Sequence, residues 1–185
     1  MKKYLLKYKP FLLFLGKFFV TYLVLTVIYQ TWLSRSDTYA NGVDPFTVFV
    51  AGQTESLLEF YDVSADIPMH ESEPTVKLMY EGTYNSRIIE GCNAISVMIL
   101  FVSFVVAFSG KWWHTLLFAI CGLVLIHLIN IARIAMLAAA LYHYPEHTEF
   151  LHGVIFPLII YGFVLILWVI WVNKFSYYGD NRPAK

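Results

Sequence analysis

Glu90-Gly91-Cys92-Asn93-Ala94-Ile95 marks the point where a polar segment gives way to an apolar one. From residue 92 to residue 108 no side chain is charged, so this run reads as a membrane span that opens on a cysteine. Toward the N-terminus lies a polar stretch, 34–91, with ten acidic side chains against three basic ones (Arg35, Lys77 and Arg87). Before it, 11–33 is apolar apart from Lys17 and a few Thr, Gln and Gly. That is long enough to cross a hydrocarbon core of about 30 Å, with Lys17 able to snorkel back to the headgroups. No small-residue cleavage site follows it, so an uncleaved span is expected rather than a signal peptide. Toward the C-terminus, Ser109-Gly110-Lys111 makes a tight connection. A third run over 113–141 is interrupted by His114, His127, Asn130 and Arg133, residues 143–150 form a polar loop, and a fourth run covers 151–172.

The expected fold is therefore a single all-α integral membrane domain over 1–185. It has four spans, about 11–33, 92–108, 113–141 and 151–172, and an extracytoplasmic insert at 34–91. Composition agrees: 58% of residues are apolar, 14% are charged and mean hydropathy is +0.60, whereas globular domains are about a quarter charged. No basic face of the kind nucleic-acid binders carry is present. Within the insert, Asp44-Pro45 is a helix start, with an N-cap acid followed by proline at the first helical position. Phe46, Phe49, Val50, Leu57, Phe60 and Tyr61 follow at roughly helical spacing, which predicts an amphipathic helix lying on the membrane surface or on the other spans. The alternation of Thr75–Tyr80 and Tyr84–Ile89 around Glu81-Gly82-Thr83 predicts a short β-hairpin.

Charge sets the expected orientation. With the N-terminus inside, the inner segments hold Lys2, Lys3, Lys7, Lys9, Lys111, Lys174, Arg182 and Lys185, and the outer ones hold only the three basic residues of the insert. Both termini are then cytoplasmic. At about 1.5 Å per residue, Arg133 lies roughly 30 Å along the third span, near the outer face. Cys92 and His152, at the outer ends of the second and fourth spans, reach the same level. Asn130 and His127 share a helix face with Arg133, while Cys121 lies about 18 Å deeper, so no disulfide with Cys92 is expected.

Each residue also has a plain reading. A cysteine at a helix start is commonly a small buried hydrophobe, a histidine at a span end an interfacial side chain, and Arg133 a structural partner for a carboxylate such as Glu90. His143, His147 and His152 match no strong zinc spacing. Neither a metal nor a cofactor is expected.

Asn130-Ile131-Ala132-Arg133-Ile134 in one span, a cysteine opening the preceding span, and His152-Gly153 opening the next together resemble the exosortase/archaeosortase family. The short length and the Glu-Gly-Cys-Asn context look most like the exosortase F branch of Bacteroidetes. The resemblance covers about 91–163. Where many members have Cys-Ser-Gly, this chain has Cys92-Asn93-Ala94. The resemblance implies a membrane cysteine protease/transpeptidase of the cytoplasmic (inner) membrane. It would cleave a membrane-anchored protein bearing a C-terminal sorting signal, with Cys92, Arg133 and His152 as active residues; the sequence position of Asn130 and Glu90 makes them the expected supporting residues, orienting His152 or Arg133. A thiol attacks as its thiolate, a form that a helix N-terminus and a nearby cation both favour. The competing expectation is a non-catalytic scaffold or assembly factor of a protein-export or surface-display system, with Arg133 in a structural ion pair.

Overall fold

The computed structural model describes residues 8–36, 43–70, 73–108 and 110–176. Lys2, Lys3, Lys7, Arg182 and Lys185, on which the expected orientation draws, lie outside them, as do Asp37 and Glu71 of the insert and Ser109 of the predicted connection. The chain is mostly helical. Its elements are α1 (Lys9–Ser36), α2 (Pro45–Phe60), β1 (Ala65–Asp66), β2 (Val76–Tyr80), β3 (Thr83–Ile88), a 3-10 turn (Glu90–Cys92), α3 (Ile95–Ala107) and α4 (Trp112–His143). A 3-10 turn (Pro145–His147), a helical turn (Thr148–Phe150) and a π-helical turn (Leu151–Ile155) then lead without a break into α5 (Phe156–Lys174).

Among the described residues, three helices are long and apolar enough to cross a membrane: Lys9–Ser34, Trp112–His143 and Pro145–Lys174. The second of the four expected spans is shorter than the others. Its helix has 13 residues, Ile95–Ala107, or about 20 Å. Residues 90–94 go into a turn instead of the first helical turn, and the helix ends at Phe108.

α1 runs antiparallel to α3, with Phe14 by Phe108 and Tyr29 by Asn93, while α5 runs parallel to α3, with Trp171 by Phe108 and His152 by Cys92. At one end Trp171 donates Nε1–H to Phe108 O (3.0 Å) and Gly110 bridges Ser176. On the flank, Phe14 of α1 packs on Phe108, which caps α3, and on Phe104 within it, with ring centroids 4.4 and 6.0 Å apart. Between α3, α4 and α5 lies an apolar core of Phe101, Val105, Ile126, Ile160, Val164 and Trp171. Gly122 on α4 lets α3 approach: a Cβ there would stand 2.2 Å from the Phe101 ring. Because that ring is fully buried, Gly122→Ala should lower the thermal midpoint in detergent, at a cost of about 1–3 kcal/mol.

At the other end the insert folds onto α4, which at 32 residues is about 48 Å long and outreaches the hydrocarbon core. Ile134, Ala135 and Ala138 of α4 join Val50, Leu58 and Leu78 in a second core. The Asp44 carboxylate accepts from Thr47 N (2.8 Å) and Pro45 takes the first helical position, so α2 starts at its sequence signal. Its buried stripe, Thr47, Val50, Ala51, Thr54 and Leu58, shares Val50 with the expected one, and Phe46 and Leu57 pack against the same core, but Phe60 is 79% exposed and Tyr61 70%. Small side chains let α2 sit close on α4, and Phe60 and Tyr61 at its end are turned away. His127 of α4 reaches α2 through Nε2···Gln53 Oε1 (2.6 Å) and a stack on Phe49.

The predicted hairpin is β2–β3, with Glu81 (φ 50°) and Gly82 (φ 69°) forming the two left-handed positions of its tight turn. The sheet also has a short third strand that the sequence reading did not include, in the order β1-β2-β3. β3 carries one extra residue, Asn85, opposite the Leu78–Met79 step. Asn85 donates to Ala138 O (2.8 Å) and ties the sheet to α4.

Candidate active site

Cys92 ends the 3-10 turn that β3 feeds, with Cys92 N donating to Ile89 O (2.8 Å). It is half-buried and its thiol is free. The expectation that it opens a helix needs correction: α3 begins at Ile95, and Ala94 before it is left-handed at φ 64°. That conformation costs an L-residue roughly 1–2 kcal/mol, while the buried Ala94 methyl returns about 0.8 kcal/mol. Ala94→Gly should therefore keep the fold at equal or slightly higher thermal midpoint. Ala94→Val, β-branched at positive φ, should lower the midpoint and displace the cysteine turn; a midpoint for the valine variant equal to wild type would contradict the strain assigned here.

The turn is pinned from three sides. Asn93, 2% exposed, donates Nδ2–H to Thr47 Oγ1 on α2 (3.2 Å) and to the Tyr29 hydroxyl on α1 (3.4 Å), and its Oδ1 accepts from Ile95 N (3.0 Å). Tyr29 in turn donates to Glu90 Oε1 (3.1 Å). On the third side Asn130 of α4, 1% exposed, donates Nδ2–H to Cys92 O at 2.8 Å, and Arg133 Nη2 reaches the same oxygen at 3.5 Å. Asn130 therefore holds the cysteine's own backbone and makes no contact that would orient His152. Glu90 serves Tyr29 and leaves Arg133 unpaired. Among the described residues Arg133 forms no ion pair, and its Nε is buried without a hydrogen-bond partner.

His152 lies in the π-helical turn that leads into α5, a local geometry often found at functional sites. Its exposed ring makes no hydrogen bond among the described residues, to the Cys92 thiol or to anything else. Two cavities meet at this level. One, of about 230 Å³, runs along β3 and over Leu137 and Leu141 of α4. The other, of about 250 Å³, opens between α3 and α5 at Val97, Ile160 and Tyr161. Among the described residues, three side chains line both: Cys92, Arg133 and His152.

The arrangement is recessed. Arg133 stands ten residues before the end of α4, roughly 15 Å below it, so the insert forms walls above the site. Cys121, also a free thiol, is exposed on α4 and lines neither cavity. No group of three or more His, Cys, Asp or Glu among the described residues is placed to hold a metal ion. Asn93 and Tyr29 were not singled out from the sequence. An Asn two residues before a helix start was a readable signal, whereas Tyr29, inside an apolar run, was indistinguishable from an interfacial aromatic. Chemically, the site offers a nucleophile, an unpaired cation and an ionisable ring around one shared space.

The profile of the transmembrane exosortase family matches residues 11–172. No curated protein and no solved structure gives a match.

Proposed function

The chain belongs to the transmembrane exosortase family, and from that premise we propose that it is a membrane cysteine transpeptidase/protease acting at the extracytoplasmic face of the cytoplasmic membrane. Cys92 gives its thiol proton to His152, and the thiolate attacks the scissile carbonyl carbon of a membrane-anchored protein. The negative charge that gathers on the carbonyl oxygen is met by the Arg133 guanidinium. The C–N bond then breaks, His152 returns its proton to the leaving amine, and the acyl group stays on Cys92 as a thioester. A second nucleophile, water or an acceptor amine, releases it with His152 as base.

One observation carries this reading: Cys92, Arg133 and His152 come from three segments of the chain and are the described residues shared by both cavities. The unpaired state of Arg133 supports it. A cation left without a carboxylate in a span is costly, and such residues mark functional sites. The scaffold reading calls for a structural ion pair, which Arg133 does not make among the described residues. The absence of a Cys92–His152 hydrogen bond fits a site awaiting substrate, since catalytic contacts tighten on binding.

The test is to quench working membranes in acid and look for a hydroxylamine-labile protein adduct on Cys92 by mass spectrometry. The adduct should form on the wild-type chain. Substrate cleavage that proceeds without any adduct on Cys92 would refute covalent catalysis at this residue.

A further inference from the structure

β3 ends the sheet: β2 pairs with one of its edges, and among the described residues no strand pairs with the other. Its backbone N–H and C=O groups on that side need partners, from water or from another chain. Five consecutive residues, 84 to 88, line the outer cavity. Side chains alternate between faces along a strand, so a cavity touching five in a row follows the edge of the strand. The opposite wall is apolar, made by Ile134, Leu137 and Leu141 of α4, and the cavity ends at Cys92, Arg133 and His152.

We propose that this edge is the substrate-recognition subsite. An extended polypeptide segment pairs with β3 as an added strand, and the pairing delivers its scissile carbonyl to Cys92. The inference rests on the cysteine transpeptidase reading and goes further by assigning how the substrate backbone is held. Main-chain bonds to β3 supply affinity without regard to side chains, and the apolar wall of α4 reads every second residue. The bulge at Asn85, which ties β3 to α4, holds the edge in place over that wall.

The geometry also sets a direction. β3 runs antiparallel to α4: Tyr80, paired with Thr83, stacks on Tyr142 (4.9 Å), Asn85 bonds Ala138, and Ile88 leads to Cys92. A substrate anchored by a C-terminal apolar helix approaches the bilayer in the same sense. It therefore pairs parallel to β3, with the part N-terminal to the cleaved bond in the β3 groove and the anchor toward the apolar cavity between α3 and α5. Apolar residues at alternate positions before the cleaved bond are the expected substrate pattern.

The experiment places a photocrosslinking p-benzoylphenylalanine at Tyr84 or Arg87, both exposed in the groove, in full-length Cys92→Ala protein in membranes. Position Tyr61, exposed on the insert and outside both cavities, is the control. In parallel, the protein that acylates Cys92 is identified on the wild-type chain. The expected result is several-fold more crosslinking from 84 and 87 than from 61, to the protein that acylates Cys92. The crosslinked sites should fall in the roughly six residues before its cleaved bond, the length a strand like β3 covers. An acyl adduct accompanied by crosslinks only after the bond, or equally from Tyr61, overturns the groove assignment and leaves the transpeptidase reading standing. No acyl adduct at all overturns that reading, and the groove assignment with it.

Discussion

Cys92→Ala should abolish processing of the anchored substrate, with a loss of about 1,000-fold or more, while protein abundance and thermal midpoint stay at wild-type values. The two expectations separate because the contacts that hold the turn use backbone atoms. Asn130 and Arg133 bind Cys92 O, and Cys92 N bonds Ile89 O, so none of these bonds depends on the sulfur. Truncating a half-buried thiol to a methyl leaves the turn intact and removes the nucleophile. Cys92→Ser should be nearly as inactive, since a hydroxyl is a far weaker nucleophile without a matched base. An immunoblot for the full-length anchored protein, read beside a melting curve of the purified variant, checks both halves. Wild-type processing by the folded alanine variant would end the cysteine mechanism and restore the scaffold reading.

Arg133 is expected to have the second largest effect. Arg133→Gln should slow thioester formation by about 100- to 1,000-fold, the usual consequence of removing one preorganised donor at a developing oxyanion. Arg133→Lys should recover little of it, because a point ammonium does not reproduce the planar fork of donors. Folding should be largely spared. The 3.5 Å contact to Cys92 O is weak beside the 2.8 Å bond from Asn130, which remains to hold that carbonyl. Removing an unpaired cation with a buried, unsatisfied Nε also relieves a desolvation cost. Single-turnover acylation rates and thermal midpoints for the two variants test this. If both variants acylate at the wild-type rate, Arg133 has no role in the chemistry. If the midpoint collapses in both, its role is structural.

The two predictions draw on different parts of the same neighbourhood. Cys92 sits on a turn whose position is set by α1, α2 and α4 together. Arg133 sits on a long helix whose far end continues into the insert's core. Sequence spacing could place both at one depth, because helix rise is constant once the direction of each run is assigned. It could not say which polar atoms bond which. Asn130 could have served His152, Arg133 or the cysteine backbone with equal plausibility from spacing alone. Glu90 could have paired with Arg133 but bonds Tyr29, a residue 61 positions away.

The sequence alone determined the membrane character of the chain, the helical runs, the Asp44-Pro45 helix start, the hairpin turn at Glu81-Gly82 and the family, since each depends on local composition, dihedral preference or a short motif. Tertiary structure decided what long-range packing sets. The helix after Cys92 starts three residues late because a left-handed Ala94 and the Asn93 network hold the chain in a turn. α2 buries Thr47, Val50, Ala51, Thr54 and Leu58 and leaves Phe60 and Tyr61 exposed, because close approach to α4 favours the smaller side chains. The edge of β3 left without a strand partner among the described residues faces Cys92, Arg133 and His152 because Asn85 anchors the sheet to α4 over a distance of 53 residues in the chain. Such pairings join residues far apart in sequence, and no local preference records them.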